Sequence, residues 1–191
     1  MDTIYRQLCC DHQAMQQMLD TFEQLLLDLF GHSDRDPNTL SCILDALDYF
    51  SVYPDQYHHP LEDLVFARLL LKPVQNRDAI YKARMQHQQI ASATKHICAL
   101  FYAVANNAMV ERKMLESTCS AYIQLQRTHI HLENSALFAQ VERYLDAEDW
   151  RLIHMQAKNL DNPFFGNKMK KVYETLREHL TQHQNAATGF A

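Results

Sequence analysis

Six residues in this chain have the types and spacing to hold a pair of metal ions. His58 and Glu62 stand four apart in YHHPLED, and His129 and Glu133 stand four apart in THIHLEN. An α-helix turns about 100° per residue, so positions i and i+4 share a face. Each helix would then point one imidazole and one carboxylate the same way. A carboxylate has two oxygens and can bridge two cations about 3.5–4 Å apart. Two such helices facing each other supply two histidines and two bridging carboxylates. His12, in CDHQAMQ, and His87, in MQHQQI, come from two further segments and would complete two histidines per metal. Nitrogen and oxygen ligation with bridging carboxylates and spare positions suits iron or manganese better than structural zinc.

From 11 His and 9 Glu in 191 positions, roughly half a chance HxxxE match is expected, and the chain has two. Both precede an apolar stretch, which a surface ion pair would not explain. His12 shares a helical face with Leu8, Met15 and Leu19, so it should point into the core, where a histidine needs a partner. Other histidines are weaker candidates. His59, paired by spacing with Asp63, is offset by one residue and should sit about 100° around the helix, in a supporting or structural role. His131 is offset in the same way from His129. His179 and His183 form HxxxH without a carboxylate motif and read as a solvated face. His32 and Asp36 span a loop. Tyr57 and Tyr122 read first as core aromatics, with donation to the site as the alternative. Cys9 and Cys10 read as structural. The chain has no ExxH and no HExxH, against a ferritin-type carboxylate site and a zinc peptidase.

Four long helices must position these residues. The first is expected over about Thr3 to Phe30, followed by the turn-forming GHSDRDP. The second is expected from about Asn38 to Leu71, with a break or kink between Tyr53 and Pro60, because Pro54 and Pro60 each remove a backbone donor. The third covers about Arg77 to Ala105, with Asn106 and Asn107 in the turn, and the fourth about Met109 to Leu145. A short helix around Trp150, a loop at 162–166 and a last helix over about 168–183 follow, with a frayed tail at 184–191. Short loops between long helices predict an all-α, up-down four-helix bundle, as one domain with its core over 3–145 and a helical extension over 146–183. The order His, then HxxxE and an apolar tail, occurs twice and suggests two helical hairpins related by an approximate two-fold.

Composition excludes other classes. A net charge of -5 offers no basic field for nucleic acid or an anionic membrane. No apolar run approaches the roughly 18 residues of a membrane span, and Met1 to Cys10 shows no signal-peptide pattern. Five cysteines, an odd number without CxxC, argue against a disulfide framework and for a reducing, cytoplasmic setting.

The runs DHQAMQQML, YPDQYHHPLEDLVFARL, QHQQIA and HIHLENSALF resemble the hemerythrin-like family of HHE cation-binding proteins over about residues 3–145. YPDQYHHPLEDLVF and the later DNPFFG resemble one bacterial branch with a C-terminal extension. The resemblance implies a four-helix bundle with a non-haem, carboxylate-bridged di-iron site on His12, His58 and Glu62 and on His87, His129 and Glu133. Manganese or zinc would be substitutes. Two positions depart from the oxygen-carrying members: Ala91 stands where they have a fifth histidine, and HxxxE replaces their HxxxxD. The set is closer to proteins that repair iron centres or handle nitric oxide, although the chain opens directly on the bundle, without the cysteine-containing domain usual there. The expected role is to bind or reduce O2, NO or peroxide in sensing or stress response. An iron reservoir or donor, and a metal-dependent interaction module using the extension to bind a partner or a second copy, are the alternatives.

Overall fold

The computed structural model describes residues 1–31 and 37–160. Helix α1 spans Thr3–Gly31. It starts where the Asp2 carboxylate accepts the Ile4 N–H at 2.8 Å, which satisfies one of the free donors of the first turn. Its buried face carries Leu8, Met15, Leu19, Phe22 and Leu26, and His12 lies within that stripe.

Helix α2 spans Pro37–Tyr53 and α3 spans His59–Leu69. Between them the helix does not break. Pro54–His58 forms a π-helical turn in which the His59 N–H reaches the Pro54 carbonyl, five residues back. Two prolines close together remove donors from the ordinary ladder, and one wider turn absorbs the loss. Helix α4 spans Arg77–Ala105, capped by Asn76, whose side chain accepts the Ala79 N–H. Asn107 then takes a left-handed φ of 60°, a conformation asparagine tolerates well.

Helix α5 begins at Arg112, three residues after the expected start, and runs to Leu132. The long fourth helix expected from the sequence is interrupted by a second π-helical turn, Glu133–Leu137, where the Phe138 N–H reaches the Glu133 carbonyl. Helix α6 then spans Phe138–Tyr144. Helix α1 packs on α2 and α5, and α4 packs on the same two, closing a four-rod bundle. The chain is all-α and hemerythrin-like in fold. Ile43, Ala46, Ile80, Ile97 and Leu137 fill its core, and Phe22, Phe50 and Tyr122 meet edge to face at 5.8–6.3 Å. No helix among the described residues is long and apolar enough to cross a membrane. All five cysteines are free.

The expected short helix around Trp150 is α7, Ala147–Ala157, which packs on α3. Asp146 and Asp149 form a capping box at its start. Asp149 is buried and also takes Arg68 and Lys72 of the α3 region, each at 2.5 Å. The loop at 162–166, the helix at 168–183 and the tail lie outside the described residues. So do His32, Asp36, His179 and His183.

Asp149→Ala removes the N3 half of the capping box and takes the buried carboxylate away from Arg68 and Lys72. It should lower the stability measured by urea unfolding by on the order of 2 kcal/mol, without changing the metal content of the folded chain.

Candidate metal centre

The six residues singled out by spacing come from four rods and converge. His12 lies on α1, His58 in the first π turn, Glu62 on α3, His87 on α4, His129 on α5 and Glu133 at the start of the second π turn. All six are buried, and both glutamates are 0% exposed. Glu62 Oε1 lies 3.2 Å from His12 Nε2 and 3.3 Å from His58 Nε2, while its Oε2 lies 3.4 Å from His87 Nε2. Glu133 Oε1 lies 3.3 Å from His87 Nε2, while its Oε2 lies 3.2 Å from both His12 Nε2 and His129 Nε2. Each carboxylate thus divides its two oxygens between different histidines.

Most of these contacts are near in distance but lack hydrogen-bond geometry. His12 Nε2, His58 Nε2, His129 Nε2, both Glu62 oxygens and Glu133 Oε2 are buried with no hydrogen-bond partner among the described residues. Unpaired buried polar atoms are costly. Ligand atoms about 2.1 Å from a cation at right angles to one another stand about 3 Å apart, close to the spacing seen. The donor set therefore fits a cation. Two groups of atoms close enough to share one are present: His12, His58 and Glu62; and His59, Glu62, His87 and His129. Glu62 belongs to both.

His59 lies closer to the centre than its one-residue offset suggests. A 100° step would have turned it off the His58 face. The π turn ends at His58, so its wider winding changes the relation between the two, and both face inward. The His59 ring stacks on His87 at 4.4 Å and meets His129 edge-on at 5.3 Å. Both of its nitrogens lack a hydrogen-bond partner among the described residues. His131, by contrast, is exposed.

An outer ring of acceptors fixes the imidazoles. His12 Nδ1 lies 2.8 Å from Asn134 Oδ1, His58 Nδ1 lies 3.1 Å from Asp11 Oδ2, and His87 Nδ1 lies 3.3 Å from Asp63 Oδ1. These oxygens can only accept, so Nδ1 carries a hydrogen and each Nε2 faces the centre, where its lone pair serves a cation once any proton there has left. Asp63 and Asn134 each follow a central glutamate by one residue and reach the histidine of the next rod. Spacing rules missed all three outer partners, although the doublets Asp11-His12, Glu62-Asp63 and Glu133-Asn134 were visible. Tyr122 proves to be a core residue whose hydroxyl pairs with Thr94 and Gln126.

The sequence model of the hemerythrin HHE cation binding domain matches residues 3–141. The chain belongs to that family. Among curated proteins it has no significant match. As a hemerythrin-family domain it is a cation-binding bundle, and the His/Glu cluster is its candidate site.

Charge in the hemerythrin core follows from the same geometry. Burial pulls His87 down, but Asp63, Glu133 and Glu62 outweigh it and raise it to about 11. His12 is held well above its ordinary value, and His58 above it, because their carboxylate contacts win over burial. Burial and the neighbouring imidazoles push His59 well below the ordinary value, and burial takes His129 down to about 4. In the cation-free site the carboxylate contacts thus favour the protonated form of His12, His58 and His87. A cation must displace those protons. Affinity should therefore rise with pH through the neutral range and fall in acid, and calorimetry in buffers of different ionisation heat should show proton release on binding. No release would mean the histidines are not ligands.

Proposed function

We propose that this hemerythrin-family bundle holds two iron ions and binds or reduces O2, NO or peroxide. The observation that carries the reading is that Glu62 faces His12 and His58 with one oxygen and His87 with the other, while Glu133 faces His87 with one and His12 with the other, the arrangement a bridging carboxylate requires. His12 and His58 would serve one ion. His87, His129 and His59 would serve the other, with both glutamates between them. The donors are all nitrogen and oxygen, which suits iron and admits manganese or zinc as substitutes.

Iron in this site would supply a redox couple and open positions for a small ligand. The chain's own residues do the rest. Asp11, Asp63 and Asn134 hold the imidazoles in one tautomer. The Phe138 ring stacks on His12 at 4.8 Å and limits water around it. With two imidazoles on the His12 and His58 side and three on the other, the open positions fall on the former side. A sensing or stress-response role would use that site, and the small ligand is the expected partner.

Metal analysis tests the ligand set. Glu62→Ala should lose most of the bound metal at both positions, and His59→Ala should lower the content by about half. Unchanged metal in Glu62→Ala would sink the bridging assignment, and unchanged metal in His59→Ala would confine His59 to a packing role.

Optical spectra of the anaerobically reduced, iron-loaded protein test the activity. New charge-transfer absorption on adding O2, NO or peroxide is expected. Iron that ignores all three but leaves readily to a chelator would instead favour iron donation.

A further inference from the structure

The five imidazoles at the metal centre are not held alike. His12, His58 and His87 each turn Nδ1 to an acceptor on another rod, respectively Asn134, Asp11 and Asp63. His59 faces an acceptor on its own segment. Asp55 stands four residues earlier, in the first π turn, with its side chain 10% exposed, and its Oδ1 lies 3.6 Å from His59 Nδ1. That is just outside hydrogen-bond range. Asp55 Oδ1 and both His59 nitrogens are buried and have no hydrogen-bond partner among the described residues. Unpaired buried polar atoms are costly, and a shift of about 0.5 Å would pair two of these three. The second half has no counterpart. Aligning His58 with His129 sets Gln126 and Ile130 at the places of Asp55 and His59, and Gln126 turns its amide to the Tyr122 hydroxyl.

Resting on the metal reading above, we propose that Asp55 is the positioning residue for His59: its carboxylate accepts the Nδ1 hydrogen and leaves the Nε2 lone pair for the cation shared with Glu62, His87 and His129. Those four side chains offer atoms close enough together to hold one ion. A neutral imidazole carries one hydrogen and one lone pair, and the partner of one nitrogen decides which nitrogen is left to ligate. With the hydrogen on Nε2 instead, His59 would turn an N–H to the cation and be no ligand. Its ring is held against His87 and His129, at 4.4 and 5.3 Å between centroids, while Nδ1 stays on the Asp55 side. Acceptor and ligand lie four apart on one continuous helical segment. Their pairing therefore depends on the winding of that segment, whereas the other three acceptors depend on a neighbouring rod. The pairing moves no charge; it sets where the ring hydrogen sits.

The test is nuclear magnetic resonance on the full chain, loaded with zinc as a diamagnetic substitute and labelled with nitrogen-15 in its histidine rings. His59→Gln identifies the His59 signals by their loss. In the wild type, His59 should carry its hydrogen on Nδ1 and show the shift of a metal-bound nitrogen at Nε2. Asp55→Leu should lose that pattern at His59 alone. In competition with a chelator it should bind one of two zinc ions about 10–100-fold more weakly and the other as before. A wild-type His59 with its hydrogen on Nε2, or with neither nitrogen metal-bound, overturns the proposal and leaves the rest of the metal reading standing. So does an Asp55→Leu chain that keeps both the pattern and the affinity. A chain that binds neither zinc nor iron overturns both. If Asp55→Leu fails to fold, the wild type decides: a nuclear Overhauser contact between the His59 Nδ1 hydrogen and the Asp55 Cβ hydrogens supports the assignment, and its absence overturns it.

Discussion

Two carboxylates with no exposure to water set the terms for the rest of this bundle. Moving an ionised carboxylate into a protein interior costs several kcal/mol even after relaxation. Glu62 and Glu133 stand side by side at the centre of the four rods, so each raises the cost of the other. The core must offer positive charge on all sides. It does so with His12, His58 and His87, whose protonated forms the carboxylates favour in the empty chain and whose lone pairs can turn to a cation in the filled one. The outer aspartates and Asn134 then fix which nitrogen faces inward. The bundle geometry, the histidine pattern and the acceptor ring all answer to one buried pair of negative groups.

The two π-helical turns are how a four-rod bundle accommodates that many donors. A straight α-helix presents one residue per turn to a given line along its length. Each π turn places an extra residue in one turn and shifts the face that follows. The first lies directly before His59, and the second starts at Glu133 itself. Such turns are rare away from functional sites, and here both sit where the inward side chains are most crowded. The local prolines explain the first. Nothing comparable in sequence marks the second, which ends on the buried Leu137 and leads into the buried Phe138.

The two hairpins repeat one another in their ligands and differ in what surrounds them. His12, His58, Glu62 and Asp63 match His87, His129, Glu133 and Asn134 in order and role. The additional imidazole, His59, comes from the first half alone. An approximately symmetric scaffold thus carries an asymmetric centre.

The sequence by itself pointed to the helices of the described bundle, their order and six residues that the fold brings together. Those signals are local: helical periodicity, scarce glycine, and His and Glu four apart on one face. The boundaries of α1 and α4 follow the expected ones closely for that reason. Tertiary structure alone decided the inward turn of His59, the interruption after Leu132 and the partners Asp11, Asp63 and Asn134. A spacing rule built on 3.6 residues per turn cannot register a turn closed five residues back. Nor can it see that Asn134 meets His12 across 122 positions of chain. Whether a side chain one step off the ligand face is a bystander or a neighbour of the centre depends on the winding of its own turn and on which rod packs beside it, and both are set only when the bundle closes.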